Sequence, residues 1–499
     1  MPRAPLRWWL TLSVGVLGFV ASLVLPPLLA VPPGVLAVAP EQMPTVVLSI
    51  QRVLGLLWWM FWWWIGEVVP LPMTALLPAL VGPLLGLVSG QTTVAEPLPL
   101  RTFLQGYVDP VVLLFLGSFL IAEALRKHGL DQWSALRVFS WRWALRSPRR
   151  LLGAVMLSTA VVSMWVSNTA TAAMVMPIAL GILEVLRRAG LRDDLGAFPQ
   201  ALVLAVAWAS SIGGMVTVVG TAPNGIALGV LRQHGVELGF LEWLLFGVPV
   251  GICVLSGAWL ILVWRLRLPD IPLRALREEL QREYWQNKKL SPGARRVAVV
   301  FAGVVCAWIA LPLLAMLSPV LKVLDLWNVA LGGALLLFLL PSGARGEPLL
   351  GWDQAQRIDW GTLLLFGGGL TLSAVLTQTG AAQVLTHLLV RALDGLPPIV
   401  VAAGILLVAN FSTELVSNTA LASLLLPLVA ASVPALGLPL EGCVIAAAMV
   451  SSCAFMLPIA TPPNAIAYGT RLLPLPVMVR VGVLMNLLST AVMTVVAVL

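Results

Sequence analysis

Residues 151–186 read LLGAVMLSTAVVSMWVSNTATAAMVMPIALGILEVL, an apolar block with Ser167-Asn168-Thr169 at its middle. A helix that crosses the membrane once needs about 20 apolar residues, and this block has about 35. The polar triplet falls where a single helix would meet the bilayer centre. We therefore expect a helical hairpin here rather than one span.

Arginines stand at both ends of this block, and they indicate which way the hairpin opens. Basic residues favour the cytoplasmic side of a membrane, so both ends belong on that side. Each arm has about 15 residues and reaches ~22 Å, past the midplane of a ~30 Å hydrocarbon core. The sequence thus predicts a re-entrant, inward-opening hairpin. The arginines are Arg149 and Arg150 before the block, and Arg187, Arg188 and Arg192 after it.

A second block, 398–433, has the same form, with Ser417-Asn418-Thr419 at its middle. By the running count of spans it opens from the outside, and this assignment leaves most of the 30 Lys and Arg residues on the cytoplasmic side. If either hairpin were a single crossing, every later loop would change sides, and the excess of Lys and Arg on the cytoplasmic side would be lost.

The composition agrees with a membrane protein. Of 499 residues, 59% are hydrophobic and 10% are charged, whereas soluble globular proteins carry about 25% charged residues. We therefore predict an all-α polytopic membrane protein with about 11 transmembrane segments, including one near 71–89. The net charge of +8 reports orientation in the lipid bilayer rather than a nucleic-acid partner.

Three short motifs occur twice in the same order, which indicates an internal duplication. Because one hairpin opens inward and the other outward, the two units are expected to form an inverted repeat. That architecture is typical of secondary transporters, whose site lies where the repeats meet. Residues 166–170 (VSNTA) recur as 416–420, 220–224 (GTAPN) as 460–464 (ATPPN), and 114–117 (LFLG) as 365–368 (LFGG).

The duplication predicts the domain organisation. Each repeat has a span, a hairpin, a Pro-broken helix and a last span, and scaffold helices with a charged linker make up the rest. The predicted parts are N-terminal scaffold helices 1–109, first repeat 110–264 (hairpin 151–186, broken helix 200–231), cytoplasmic linker 265–296, scaffold helices 297–341, and second repeat 342–499 (hairpin 398–433, broken helix 441–469).

The tips and breaks offer hydroxyls, carboxamides and free backbone, and their motifs contain no Lys, Arg or His. Helices that begin at the tips present free N–H groups and a partial positive charge, which favour an anion. The opposite ends expose carbonyls, and oxygen ligation without a formal carboxylate points to Na⁺. Ser163 and Thr413, on the entering arms, could add oxygens. A dianion in such a pocket needs its charge offset, so Na⁺ is the expected co-transported ion.

The paired tips, the paired breaks, and the stretch Trp58-Trp59 … Glu67-Val68-Val69-Pro70 … Thr74 together resemble the divalent anion/sodium symporter family. That family comprises sodium-coupled dicarboxylate, citrate and sulfate transporters. The resemblance covers nearly the whole chain. It implies a homodimer in which a mobile transport domain moves against a fixed scaffold by an elevator mechanism.

The resemblance also implies which residues form the site. The first sodium site would use Ser163, Ser167, Asn168 and Gly220, and the second Thr413, Ser417, Asn418 and Ala460. The substrate would touch Asn168, Thr169, Thr221, Ser417, Asn418, Thr419, Thr461 and Pro462. One departure bears on substrate preference: the first break reads Thr221-Ala222-Pro223, where the family often has two prolines.

The predicted activity is secondary active transport of a dianion, coupled to inward Na⁺ movement. The usual bacterial members of the resembled family favour a C4-dicarboxylate such as succinate over citrate or sulfate. The alternative is a sodium-independent dicarboxylate exchanger with the same pocket. An enzyme is not expected, because the sequence has no HExxH pair, paired catalytic aspartates or Ser/His arrangement, and no organic cofactor is implied.

The predicted location is the bacterial inner membrane, with the N-terminus cytoplasmic and the C-terminus outside. Two acidic residues keep alternative interpretations. Glu67 either anchors a helix end or relays protons. Glu414, next to Thr413, either tunes a cation site or serves packing.

Overall fold

The computed structural model describes residues 6–27, 31–32, 34–139, 141, 143–191, 194–274, 276–278, 289–317, 324–343, 346–393 and 395–499. Residues 275 and 279–288 of the predicted linker lie outside these ranges, as do the N-terminal residues 1–5, Arg192, and residues 318–323 of the predicted scaffold helices.

Most apolar parts of the described ranges are helical, and the β-contacts there are the two isolated bridges Val88–Pro97 and Pro341–Pro348. Eight helical stretches there are long and apolar enough to cross a membrane. The predicted class, an all-helical polytopic membrane protein, is confirmed. The eight stretches are Pro40–Gly66, Leu100–Lys127, Asn168–Arg188, Phe198–Val216, Phe240–Leu266, Pro292–Leu311, Trp360–Thr379 and Leu475–Val498.

The shorter apolar helices include hairpin arms and parts of interrupted segments, whose lengths alone do not span the bilayer. They are Trp8–Val24, Leu326–Leu339, Pro398–Ser412, Asn418–Ser432 and Leu440–Ser451, together with the interrupted helical stretch Leu71–Leu85. Two amphipathic helices, Leu130–Phe139 and Ala381–Ala392, precede the two hairpins.

The first hairpin consists of helices Pro148–Ser163 and Asn168–Arg188. Ser147 caps the entering arm by accepting a hydrogen bond from Arg150 N–H (3.3 Å), and Pro148 suits the first turn because no intrahelical N–H is needed there. The entering arm has 16 residues, or ~24 Å, and the returning arm has 21, or ~31 Å. Ser167 caps the returning arm through Ala170 N–H (3.4 Å). The returning arm is thus longer than predicted, and it ends in an exposed Glu184–Arg188 pair.

The second hairpin consists of helices Pro398–Ser412 and Asn418–Ser432, each 15 residues long. The returning arm again begins at the Asn of the Ser-Asn-Thr triplet. Pro177 and Pro427 lie inside the two returning arms, where each removes one backbone donor from the helix.

Two helices are interrupted by irregular backbone. The first broken helix comprises Phe198–Val216 and Ala222–Gln233, with the break at 217–221. The second comprises Leu440–Ser451 and Pro462–Gly469, with a longer break at 452–461. Proline occurs within the first two positions of each second half, where it is tolerated because those N–H groups have no intrahelical acceptor.

The segment predicted as a span near 71–89 is not one helix. It folds as the short helices Leu71–Thr74 and Leu77–Val81 followed by a 3₁₀ turn, Gly82–Leu85. Each of these elements has a proline at its second position, namely Pro72, Pro78 and Pro83. Hydropathy could not reveal this, since proline interrupts the backbone hydrogen bonds of a helix without lowering its apolar character.

Candidate functional site

The two hairpin tips and the two helix breaks line one cavity of about 590 Å³. All eight residues predicted to contact substrate line it, and so do six of the eight predicted to bind sodium. The exceptions are Ser163 and Thr413, which are fully buried and do not line the cavity. The predicted residues on its wall are Ser167, Asn168, Thr169, Gly220, Thr221, Ser417, Asn418, Thr419, Ala460, Thr461 and Pro462.

Ser163 joins the first hairpin to the first broken helix. Its Oγ lies 2.9 Å from Asn168 Oδ1 and 2.6 Å from the carbonyl oxygen of Ser210. A hydroxyl has one proton and both neighbours are acceptors, so only one of the two contacts is a full hydrogen bond. The three oxygens therefore have lone pairs to spare and form a set that suits a small hard cation.

The second hairpin repeats this arrangement. Thr413 Oγ1 lies 2.8 Å from Asn418 Oδ1 and 2.6 Å from the carbonyl oxygen of Ser451, at the end of Leu440–Ser451. Here too one hydroxyl proton faces two acceptors, so only one of the two contacts is a full hydrogen bond. Each hairpin thus brings together a hydroxyl, a carboxamide oxygen and a carbonyl of the broken helix.

Four helices begin at the cavity wall. They are the two returning arms, which start at Asn168 and Asn418, and the second halves of the broken helices, which start at Ala222 and Pro462. The N-terminus of a helix carries free N–H groups and about half a positive charge. Four such ends make the cavity favourable for an anion although no Lys, Arg or His is among the described residues that line it.

The cavity wall includes two acidic residues. Glu67 and Asp359 line it and both are exposed. Asp359 caps helix Trp360–Thr379 by accepting hydrogen bonds from Thr362 N–H (3.0 Å) and Thr362 Oγ1 (2.6 Å). Glu67 follows the end of helix Met43–Gly66 in the left-handed region, with φ of 46°. These carboxylates repel a dianion, so the cavity needs a cationic contribution to hold one.

Glu414 is not part of the cavity wall. Its side chain is buried, and its Oε1 accepts hydrogen bonds from the N–H groups of Phe455 (2.7 Å) and Met456 (2.9 Å). The amide of Asn486 also donates to Oε1 (2.8 Å), and Leu457 N–H donates to Oε2 (2.9 Å). Glu414 therefore binds the backbone of the second break directly.

The sequence did not indicate the carbonyls of Ser210 and Ser451 as candidate ligands, because every residue type has the same backbone oxygen. It also missed Asn224 and Asn464, whose amides bind backbone carbonyls across the breaks. The sequence could have indicated these two asparagines, since each is the last residue of a motif that occurs in both halves of the chain.

Comparison with known proteins is consistent with this geometry. A family model described as citrate transporter matches residues 59–451. The sodium-dependent dicarboxylate transporter SdcS of Staphylococcus saprophyticus is 31% identical over 452 residues, which cover 89% of this chain and 85% of the relative. SdcS of Staphylococcus aureus strain USA300 is also 31% identical, with 88% and 83% covered.

Two solved structures have a similar fold. The YdaH transporter of Alcanivorax borkumensis superposes with a TM-score of 0.53 at 13% identity, covering 98% of this chain and 97% of that one. MtrF of Neisseria gonorrhoeae superposes with a TM-score of 0.52 at 13% identity, covering 87% and 95%. At this identity the likeness concerns the fold alone.

Apolar helices that surround a polar cavity at the meeting point of two hairpins and two broken helices define an integral membrane transporter. The chain belongs to the citrate transporter family.

Proposed function

We propose that this protein is a sodium-coupled symporter that carries a dianion, with C4-dicarboxylates such as succinate as its main substrates. The observation that carries the proposal is the cavity of about 590 Å³ shared by both tips and both breaks. Its hydroxyls, carboxamides and four helix N-termini match the hydrogen-bonding needs of two carboxylates. The sodium-dependent dicarboxylate transporters that align with most of the chain support this substrate class.

Sodium supplies the charge that the cavity lacks. A dianion that enters it meets two acidic residues and no cationic side chain among the described lining residues. Two bound Na⁺ ions would neutralise the dianion and reduce the cost of taking it out of water. We therefore favour symport over sodium-independent exchange, because an exchanger would face the same uncompensated charge in each direction.

The proposed cation sites follow the two oxygen sets. Ser163, Ser167, Asn168 and Gly220 would hold one ion, and Thr413, Ser417, Asn418 and Ala460 the other. The substrate would contact Asn168, Thr169, Thr221, Ser417, Asn418, Thr419, Thr461 and Pro462. The proposal is supported by the matching distances around Ser163 and Thr413.

We further propose inverted repeats at 110–264 and 342–499, about 11 transmembrane segments if the interrupted stretch Leu71–Leu85 is counted as one, and an elevator-type movement of the hairpins and broken helices against the remaining helices. The same order of hairpin and broken helix in both halves supports the repeat. The homodimer rests on the family resemblance.

The proposed orientation has the N-terminus in the cytoplasm of a bacterial cell and the C-terminus outside. Basic residues stand at the helix ends that this orientation assigns to the cytoplasmic side, as the positive-inside rule requires: Arg126 and Lys127, Arg149 and Arg150, Arg187 and Arg188, and Arg265. Lys127 Nζ lies 3.1 Å from Gln354 Oε1, Trp259 Nε1 donates to the Arg149 carbonyl (2.9 Å), and Arg277 donates to the Leu145 carbonyl (3.1 Å).

The decisive experiment is uptake of labelled succinate into liposomes that contain the purified protein. We expect uptake into empty liposomes with an inward Na⁺ gradient, and none when choline replaces Na⁺. Uptake that ignores Na⁺ and requires internal dicarboxylate would establish the exchanger instead. If neither condition gives uptake, citrate and sulfate are the next substrates to test, and failure with all three would overturn the proposal.

A further inference from the structure

Each broken helix carries one buried asparagine three positions after the threonine at the N-cap position of its second half. Asn224 and Asn464 are both fully buried. Their amide groups reach back across the break to backbone carbonyls, and in each the side-chain oxygen finds no donor within the described ranges. We propose that these two asparagines are positioning residues, which hold the breaks in the geometry that binds sodium. The inference rests on the proposed function.

Asn224 holds the first break. Its Nδ2 donates to the carbonyls of Thr217 (2.7 Å), Gly214 (3.2 Å) and Met215 (3.4 Å). Gly214 and Met215 belong to the last turn of Phe198–Val216, where carbonyls have no intrahelical donor. Because all three neighbours are acceptors, only the amide nitrogen can face them. One side chain of the second half-helix thus caps the end of the first.

The amide of Asn224 and the three carbonyls that it binds are called the clamp of the first break. Gly214 connects this clamp to the predicted first sodium site. A methyl group on Gly214 would overlap Asn168 Oδ1, so the hairpin tip packs directly on this residue. A methyl group on Gly220 would likewise overlap the Gly214 carbonyl oxygen. Gly214 is therefore packed against both Asn168 and Gly220, and releasing its carbonyl from Asn224 would let these two residues move apart.

Asn464 holds the second break in the same way. Its Nδ2 donates to the carbonyls of Ala454 (3.0 Å) and Leu457 (3.0 Å). Here the break has a second restraint, because Glu414 accepts the N–H of Leu457 (2.9 Å). Residue Leu457 is thus bound at its carbonyl by the amide of Asn464 and at its N–H by the carboxylate of Glu414. At the corresponding place of the first hairpin stands Met164, whose side chain cannot take this role. The first break is instead attached there by one hydrogen bond, from Thr217 Oγ1 to the Met164 carbonyl (2.5 Å).

This difference makes the two clamps unequal. Loss of Asn224 leaves the first break attached to its hairpin by the single hydrogen bond from Thr217. Loss of Asn464 leaves the second break attached by three backbone N–H groups that donate to Glu414. Sodium affinity should therefore fall further in Asn224→Ala than in Asn464→Ala. Substrate affinity at saturating Na⁺ should change little, since neither asparagine lines the cavity.

The test compares both variants with Gln51→Ala as the matched control. Gln51 is also a buried carboxamide that donates to two carbonyls near a helix end, those of Ser22 (3.1 Å) and Leu25 (3.1 Å), but it lies among the N-terminal helices. The measurements are the Na⁺ concentration for half-maximal succinate uptake, the succinate half-saturation at saturating Na⁺, and hydrogen exchange of the amides at 217–221 in the full-length protein.

We expect the Na⁺ half-saturation to rise about tenfold in Asn224→Ala, by a smaller factor in Asn464→Ala, and by less than about twofold in Gln51→Ala. Exchange at 217–221 should quicken only in Asn224→Ala. Should that variant fail to fold, Asn224→Ser keeps a shorter donor and is expected to shift the half-saturation in the same direction.

A Na⁺ half-saturation in Asn224→Ala equal to that of Gln51→Ala would overturn the inference, even if exchange quickened, because the residue would then be structural only. Failure of the proposed function looks different, since wild-type uptake itself would ignore Na⁺. In that case exchange at 217–221 still decides whether Asn224 clamps the break: faster exchange supports the clamp and unchanged exchange overturns it.

Discussion

Asn168 and Asn418 hold equivalent positions at the start of the two returning arms. Each lines the cavity, and each side-chain oxygen also lies within 2.9 Å of a hydroxyl on the entering arm. One carboxamide therefore reaches both the substrate space and an oxygen set. Alanine would remove both contacts while leaving the helix intact, since alanine favours helices.

We expect Asn168→Ala and Asn418→Ala each to abolish sodium-driven uptake, with folded protein still present in the membrane. The measurement is uptake into liposomes alongside size-exclusion chromatography of the purified variants. Asn328→Ala is the control, because Asn328 accepts a hydrogen bond from Asp325 N–H (2.6 Å) at the start of Leu326–Leu339, away from the cavity. Wild-type uptake by either tip variant would argue against the assigned tips.

Gly214 offers a steric test of the same contact. A methyl group there overlaps Asn168 Oδ1, and Ser163 restrains that oxygen, so Gly214→Ala should push the hairpin tip away. Overpacking of this kind costs about 1–3 kcal/mol. We expect uptake to fall at least tenfold. Gly332→Ala is the matched control, since a methyl group on Gly332 meets no atom within 4 Å in the described ranges, and equal uptake by the two variants would contradict the contact.

At the scale of the element, the hairpins were predictable because a polar triplet inside an overlong apolar block is hard to reconcile with a single span. Their bounds follow from caps and prolines that are visible in the sequence. The tight approach at Gly214 could not be foreseen, since a glycine in a helix has many possible reasons. The position of a backbone carbonyl such as that of Ser210 cannot be predicted from the residue type. At 71–89 the apolar pattern predicts one span, although the prolines there indicate an interruption.

Helix Leu130–Phe139, before the first hairpin, gives a prediction about pH. Burial raises the pKa of Asp131, against a lowering contribution from the bond to Gln132 N–H. A carboxyl group with a raised folded-state pKa binds its proton more tightly in the folded protein. Its contribution to stability is therefore present below the unfolded pKa and lost as pH rises through the folded pKa.

Asp131→Asn should accordingly raise the thermal unfolding temperature at pH 8 and change it little at pH 4. Thermal unfolding of the purified protein in detergent at both pH values is the measurement. Asp270→Asn, at an exposed position, serves as the control and should show no such difference. An equal shift at pH 4 and pH 8 would show that ionisation of Asp131 is not the cause.

At the scale of the whole molecule, the charge that moves with the substrate sets the response to voltage. The two proposed cation sites would hold two Na⁺ ions, and two such ions with one dianion sum to zero. A net charge that crosses the membrane is worth about 2.3 kcal/mol per 100 mV, so one additional Na⁺ would make the uptake rate measurably dependent on voltage.

We therefore expect succinate uptake to be nearly independent of membrane potential. The measurement is initial uptake in liposomes clamped with potassium and valinomycin at zero and at inside-negative potential, with the Na⁺ gradient held constant. Faster uptake at inside-negative potential would require a third Na⁺ and a further binding site. A valinomycin-free sample with equal potassium on both sides provides the reference rate.

Trp208 ties the two halves of the molecule together beside the cavity. This fully buried indole, on the first broken helix, donates to the Phe455 carbonyl of the second break (3.3 Å), and the two rings lie 5.7 Å apart. The second break cannot shift away from helix Phe198–Val216 without losing that contact, so we expect occupancy of one proposed ion site to favour occupancy of the other. Sodium activation of uptake should then be sigmoidal. A carrier with one bound Na⁺ and no substrate would dissipate the Na⁺ gradient if it crossed the membrane. Cooperative binding keeps the population of that state low.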